Sequence, residues 1–269
     1  MPEGAIQLTH LVLWPAGICA NAVQLGLMIR VVERTKPVPE LGRTCPSNGD
    51  VDACGVSYAT TPWTCDCSPT AAGCASANLN VFRQIGLAGK GWRGYAEGMP
   101  SNCDKANNPA TSYAVRHNPP PYYTDLGSRS SWDLPMGTTS SGNLLNAVNA
   151  GALTAYSSVT PNLLNDMHDG TVARGDSWLA GWIPKITAGP DYQAGNLAIF
   201  IVWDENASGS GNNPSHVACF VLSAFTPAAT QSATAFTHYS LLRTTEEITG
   251  VGLLGQAATA TSMRTAFHL

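Results

Sequence analysis

The chain has 269 residues, of which only 12% are charged and 44% hydrophobic, and its formal net charge is -4 at pH 7. With no run of lysines or arginines it offers nothing to a phosphate backbone or an anionic bilayer, so nucleic acid is excluded as an expected partner. No apolar run approaches the ~20 residues of a membrane-spanning helix, and a single domain of this length can bury a full core.

The first segment resists assignment. Residues 5 to 20, AIQLTHLVLWPAGICA, are mildly apolar, but Glu3 stands where a signal peptide carries basic residues, and His10 and Pro15 interrupt the run. Six cysteines, Cys19, Cys45, Cys54, Cys65, Cys67 and Cys74, precede residue 80, and only Cys103 and Cys219 follow it. That density points to an oxidising compartment, and the single residue between Cys65 and Cys67 is too short for a zinc knuckle. Cys74 and Cys103 are candidates for one bridge, while the spacings leave the connectivity open. Residues 35 to 77 are rich in Pro, Gly, Thr, Ser and Cys without helical or strand periodicity. The chain therefore divides into an atypical N-terminal segment, residues 1–77, and a patterned α/β region, residues 78–269.

In that region Leu79, Val81, Phe82 and Ile85 recur at helical spacing, Gly89 is placed to end the helix, and WRGYAE follows as a short strand. The stretch SNCDKANNPATSYAVRHNPPPYYTDLGSRSS is too rich in proline and polar residues for a packed element and suits a pocket wall. TPNLLN, with Pro161, marks a strand end. Asp176 is a candidate cap for a helix with Trp178, Leu179, Trp182, Ile183 and Ile186 along one stripe and Pro184 as a kink. NLAIFIVW reads as a strand buried on both faces, HVACFVLSAF as a second central strand, and the last helix is expected near residues 240–249, capped by Ser240 and Gly250. Alternating helices and buried strands predict an α/β fold, a mostly parallel central sheet with helices on both faces.

Ligands gather at the carboxyl ends of strands in such sheets, which directs attention to Asp204 and Glu205, immediately after the buried run. An isolated Asp-Glu pair ordinarily begins a solvated loop. Asp166, His168 and Asp169 lie together beside Gly170, and mixed carboxylate and imidazole donors suit a divalent cation, which can polarise the oxygens of a phosphate ester. The competing reading is a polar loop in which Asp169 makes an Asx-turn. His117 in RHNPPPYY and His238 in THYSLLRTTEE are each, taken alone, ordinary surface histidines, and Arg243 can bind phosphate or pair with Glu246 or Glu247.

The succession NLNVFRQIGLAGKGWRGYAEGMP, YAVRHNPPPYY, TPNLLNDMHDGTVARGDSWLAGWIPKI, NLAIFIVWDE and THYSLLRTTEEITGVGLLG, from about residue 78 to 262, resembles the bacterial phosphoesterase family. That family holds acid phosphatases and non-specific phospholipases C and belongs to the alkaline phosphatase superfamily. The resemblance implies an exported enzyme, secreted or in the periplasm or cell envelope. It implies a metal-dependent hydrolase of phosphate esters, acting on a small phosphate ester or a phospholipid head group. By matching motif, Asp204 and Glu205, with Asp166, would hold a divalent metal ion, and His117, His168, Asp169 and His238 would line the phosphate pocket as acid, base or binding groups.

One departure is plain. Members of the family open with a strand ending in a Glu-Asn pair and carry a Ser or Thr nucleophile in a His-Pro-Ser-x-x-Asn-Tyr segment, and residues 1–77 contain neither. LTHLVLWPAG is a candidate relic of the first strand, and Thr60, Thr61 and Thr64 are nucleophile candidates by position alone. A diverged N-terminal third or a reading frame altered upstream of residue 78 would each explain the loss, and its abruptness favours the second. The alternative to an enzyme is a relative that binds phosphate or metal without turnover.

Overall fold

The computed structural model describes residues 68–72, 74–75, 77, 79–127, 129–203 and 218–269, and the strands β1 (Val12–Leu13) and β2 (Met28–Glu33). The elements that follow are α1 (Val81–Leu87), β3 (Trp92–Ala96), α2 (Arg129–Trp132), β4 (Asp133–Pro135), α3 (Asn143–Ala150) and β5 (Tyr156–Thr160). They continue with α4 (Val172–Ala188), α5 (Pro190–Gln193), β6 (Leu197–Val202), β7 (Ala218–Ser223), α6 (His238–Thr249) and α7 (Arg264–Phe267).

β6 shows why the sheet is the centre of the molecule. All six of its residues, LAIFIV, are buried, and a strand alternates its side chains between faces. Leu197, Ile199 and Ile201 join Leu144 and Val148 of α3 and Trp178, Leu179, Trp182, Ile183 and Ile186 of α4 on one side. Ala198, Phe200 and Val202 join Val81, Phe82 and Ile85 of α1 and Leu241, Leu242 and Ile248 of α6 on the other. Burying each of Ile199, Phe200 and Ile201, all at 0% exposure, contributes about 1.5–3 kcal/mol, so this strand commits the chain to helices on both faces.

The strand order is β1-β7-β6-β2-β5-β3-β4. β5, β3 and β4 pair in parallel. β6 runs the same way, because it and β5 are both antiparallel to β2, which lies between them. Within HVACFVLSAF, β7 lies inside the sheet between β1 and β6, as a central strand should, but it runs antiparallel to β6 and its burial alternates. Of LTHLVLWPAG the described residues are those of β1, at the sheet edge beside β7, and the inner position is taken by β2.

Several boundaries move for local reasons. Asn80 caps α1 by accepting from the Arg83 amide, and the helix ends at Ala88 just before Gly89. Thr171, not Asp176, caps α4: its Oγ1 accepts from the Arg174 amide at 3.2 Å, so the helix starts earlier and Asp176 stands exposed inside it. The Trp178 to Ile186 stripe is buried as its spacing requires, with Pro184 carried within the helix. Thr237 caps α6 and Ser240 returns the bond as the third helical residue, and Gly250 closes the helix at φ 64°.

The segment 101–131, expected to lack packed structure, folds into three 3-10 turns, Pro109–Thr111, Val115–His117 and Pro120–Tyr122. Tyr113, Val115 and Tyr122 form a small core of their own with Ala96 and Met99. Asn118 ties it down by donating to Asp133 Oδ2 at 2.9 Å and Tyr113 Oη at 3.2 Å. Cys74 forms a disulfide, but not with Cys103, which keeps its thiol. No helix among the described residues is long and apolar enough to cross a membrane.

Candidate active site beyond the carboxyl end of β5

The parallel strands β3 and β5 end side by side at Ala96 and Thr160, and the residues that leave them build the site. Glu97, the residue after β3, accepts through Oε2 from the Asn162 amide at 3.0 Å and from Asn165 Nδ2 at 2.9 Å. Asn165 Oδ1 in turn accepts from Arg174 Nε of α4 at 3.0 Å. The loop is thus held from two elements before its functional side chains appear. It also closes on itself: the Asp169 amide donates to the Leu163 carbonyl at 2.8 Å. A Cβ at Gly170 would stand 1.8 Å from the Leu164 carbonyl oxygen, so glycine is required there by space. Met167 takes φ 79°, a left-handed conformation that a side chain adopts at a cost.

Inside this loop Asp166 is buried, at 1% exposure, and so is His117, also at 1%. His117 Nδ1 lies 2.8 Å from Asp166 Oδ2, and Asp166 Oδ1 accepts from the His168 amide at 2.8 Å. The His168 ring meets His117 edge-on, 5.5 Å between centroids, and its own Nδ1 lies 2.7 Å from Asp169 Oδ1. The structure therefore gathers His117, Asp166, His168 and Asp169 from two loops 49 residues apart in sequence. The outer pair is open to water, with side-chain exposures of 31% for His168 and 54% for Asp169.

Burial is the largest influence on His117 and lowers its pKa, opposed by the hydrogen bond and charge of Asp166 and aided by the charges of Arg116 and His168. The ring is accordingly neutral near pH 7. With a carboxylate as its partner, Nδ1 must carry the proton and donate, which leaves the lone pair on Nε2. That nitrogen is buried and has no hydrogen-bond partner. An orphaned buried acceptor is costly unless a ligand completes it. Nε2 of His117 is thus the open acceptor of this cluster.

The other expected residues are placed differently. Both oxygens of Asp166 are engaged, with His117 and with the His168 backbone, so Asp166 orients an imidazole rather than offering itself to a metal. His238 is buried in the first turn of α6, and no hydrogen bond or ring contact between described residues brings it into the His117 cluster. Asp204, Glu205, Thr60, Thr61 and Thr64 lie outside the described residues. Among the described residues no three His, Cys, Asp or Glu side chains converge as a metal site. The one donor that fits is His117 Nε2, and a complete shell would need groups from elsewhere in the chain. Arg243 is structural: its Nε bonds Glu247 at 2.7 Å and its Nη1 donates to the Ala258 and Ala260 carbonyls. Glu97 and its network were missed, although a charged residue directly after a strand was the signal applied to Asp204.

The phosphoesterase family model matches residues 68–252. The chain belongs to the phosphoesterase family. It is similar to a phosphatidylinositol-3-phosphatase of Mycobacterium tuberculosis (strain ATCC 25618 / H37Rv), 28% identical over 182 residues that cover 67% of this chain and 56% of that protein. It is also similar to an acid phosphatase of Aspergillus fumigatus (strain ATCC MYA-4609 / CBS 101355 / FGSC A1100 / Af293), 25% identical over 176 residues, 61% of this chain and 38% of that one. The chain thus spans about half the length or less of these two relatives.

Proposed function

We propose that this phosphoesterase hydrolyses phosphate esters with the phosphoryl group set against Nε2 of His117. The observation that carries the reading is the buried His117–Asp166 pair, with one imidazole nitrogen fixed and the other left as an unpartnered acceptor. A neutral imidazole so held accepts a proton from the attacking group and, once protonated, donates to a phosphoryl oxygen; Asp166 stabilises the cation that forms. His168, bonded to Asp169 and open to water, forms the rim of the proposed pocket. His238 is proposed as a further pocket residue from the family motif alone.

A divalent metal ion is part of the proposal, with Asp204 and Glu205 as ligands by motif, which leaves the Nε2 lone pair of His117 for the proton. When bound, it would neutralise charge on the phosphoryl oxygens. The substrate class is a small phosphate ester or a phospholipid head group. An exported location is supported by the Cys74 disulfide, which persists in oxidising surroundings.

The deciding experiment is hydrolysis of p-nitrophenyl phosphate and p-nitrophenyl phosphorylcholine by the purified chain, with and without a chelator and added divalent metals. Metal-dependent release of nitrophenol that His117→Ala abolishes is the expected result; turnover untouched by that substitution would overturn the assignment. A second reading, a relative that binds phosphate without turnover, is favoured by one observation: residues 1–77 carry neither the Glu-Asn pair nor the nucleophile segment of the family. Phosphate binding by a folded chain that releases no nitrophenol from either ester would select it.

A further inference from the structure

From Asn165 to His168 the side chains of the site loop go alternately to two partners. Asn165 and Met167 go to α4. Asn165 Oδ1 accepts from Arg174 Nε at 3.0 Å, and Met167 lies on the bare backbone of Gly175, where a Cβ would overlap Met167 Cε and stand 2.7 Å from Met167 Cγ. Asp166 and His168 go to His117. Asp166 Oδ2 lies 2.8 Å from His117 Nδ1, and the His168 ring meets the His117 ring edge-on at 5.5 Å between centroids. We propose that Met167 is a positioning residue for the reaction at His117: its side chain, seated on Gly175, holds the left-handed turn that presents Asp166 and His168 to that imidazole. The inference rests on the phosphate-ester reading of the site and adds to it the residue that sets its geometry.

The backbone of Met167 carries the first part of the argument. Its φ of 79° is left-handed, and a residue with a side chain persists there only where its surroundings hold it. Methionine has no hydrogen-bond donor in its side chain, so the hold is by packing. Gly175 supplies the seat. It is buried within α4, where glycine is less favourable than alanine, and the space left by its missing Cβ is filled by Met167 Cγ and Cε. An unbranched, flexible side chain is suited to such a dent.

The second part is the coupling across Met167. Asp166 Oδ1 accepts from the His168 amide at 2.8 Å, so the residues on either side of Met167 are joined to each other, and release of its side chain moves both. A shift of about 1 Å opens the 2.8 Å contact of Asp166 with His117 beyond hydrogen-bond reach. His117 then loses the carboxylate that keeps its proton on Nδ1, and Nε2 is no longer fixed as the acceptor.

The test uses the full chain with Met167→Gly, Met167→Leu, Gly175→Ala and the double variant Met167→Gly with Gly175→Ala. Glycine adopts the same φ freely and alanine suits a helix interior, so the variants are expected to fold, which Tm checks. On p-nitrophenyl phosphate, kcat should fall roughly tenfold or more in Met167→Gly, and also in Gly175→Ala, whose methyl evicts the Met167 side chain. Met167→Leu, of similar volume, should keep most of it. Because both single changes remove one contact, the double variant should be no worse than either. A kcat in folded Met167→Gly within about threefold of wild type, or losses that multiply in the double variant, overturns the inference. The 15N shifts of the His117 ring give a readout that needs no turnover. The proton should stay on Nδ1 in wild type and Met167→Leu, and divide between Nδ1 and Nε2 in Met167→Gly. A role in stability alone would lower Tm and leave kcat and the ring shifts as in wild type, which also overturns it. If wild type releases no nitrophenol, loss of the fixed tautomer in Met167→Gly upholds the Met167 assignment and rejects only the hydrolytic reading; an unchanged tautomer rejects Met167.

Discussion

Replacing Asp166 by Asn isolates what the buried carboxylate does for His117. Asp166 makes two hydrogen bonds, one to His117 Nδ1 and one from the His168 amide, each 2.8 Å. An asparagine can keep its oxygen toward the His168 amide, but its NH2 then faces Nδ1, and two donors cannot share that contact. The imidazole must move its proton to Nε2, which removes the acceptor from the buried side. Loss of a correctly held base predicts a fall in kcat/KM on p-nitrophenyl phosphate of about 10²- to 10⁴-fold. The stability cost is set by one lost bond to a charged group, about 1.5–3 kcal/mol, or several degrees in Tm for a domain of this size. Activity is read across pH, Tm by calorimetry, and the proton by the 15N shifts of the imidazole. A folded Asp166→Asn protein that keeps activity within threefold, or keeps its proton on Nδ1, would refute the argument that this pair sets the tautomer.

Because burial lowers the His117 pKa below the usual ~6.5, an unfolded chain binds a proton there that the folded one refuses. Stability therefore falls as pH drops from 7 toward 5, and the urea midpoint of His117→Gln should fall less over that window; equal falls would reject this source of the pH dependence. Gly170→Ala puts a methyl 1.8 Å from the Leu164 carbonyl oxygen, which predicts a loss of about 2 kcal/mol or more by urea unfolding. Glu97→Ala removes the acceptor of two bonds that hold the DMHDG loop; kcat should fall roughly tenfold with Tm reduced, and Glu97→Gln, which keeps an oxygen there, should recover most of both. A wild-type kcat in Glu97→Ala would show that the loop holds its geometry without β3.

What could be read from the sequence followed from burial pattern. The run LAIFIV has to be a strand with both faces covered, and the stripe from Trp178 to Ile186 has to face a core, whatever else the chain does. The grouping of Asp166, His168 and Asp169 was visible because it is local. The link from His117 to Asp166 spans 49 residues and depends on a loop that folds around its own small core, Tyr113, Val115 and Tyr122, which no periodicity announces. Helix starts were misjudged where a threonine took the capping role: Thr171 and Thr237 each accept a backbone amide that Asp176 and Ser240 were expected to take.

The direction of β2 bears on the missing half of the site. Its sequence, MIRVVE, ends in an acid next to the strand that carries WDE, and in that respect imitates the acidic strand end that members of the family carry. Its register excludes that role. Met28 pairs with Val202 and Glu33 with Leu197, so the backbone of Glu33 sits at the edge where β6 begins, a strand length from the edge where β5 and β6 end. The strand beside β5 therefore brings the backbone of Met28 to the edge where β3 and β5 end. Substituting Glu33 by Gln should accordingly leave kcat, and the proposed metal dependence, as in the wild type; a loss of the proposed metal binding in that variant would mean that the strand pairs in the opposite direction in solution.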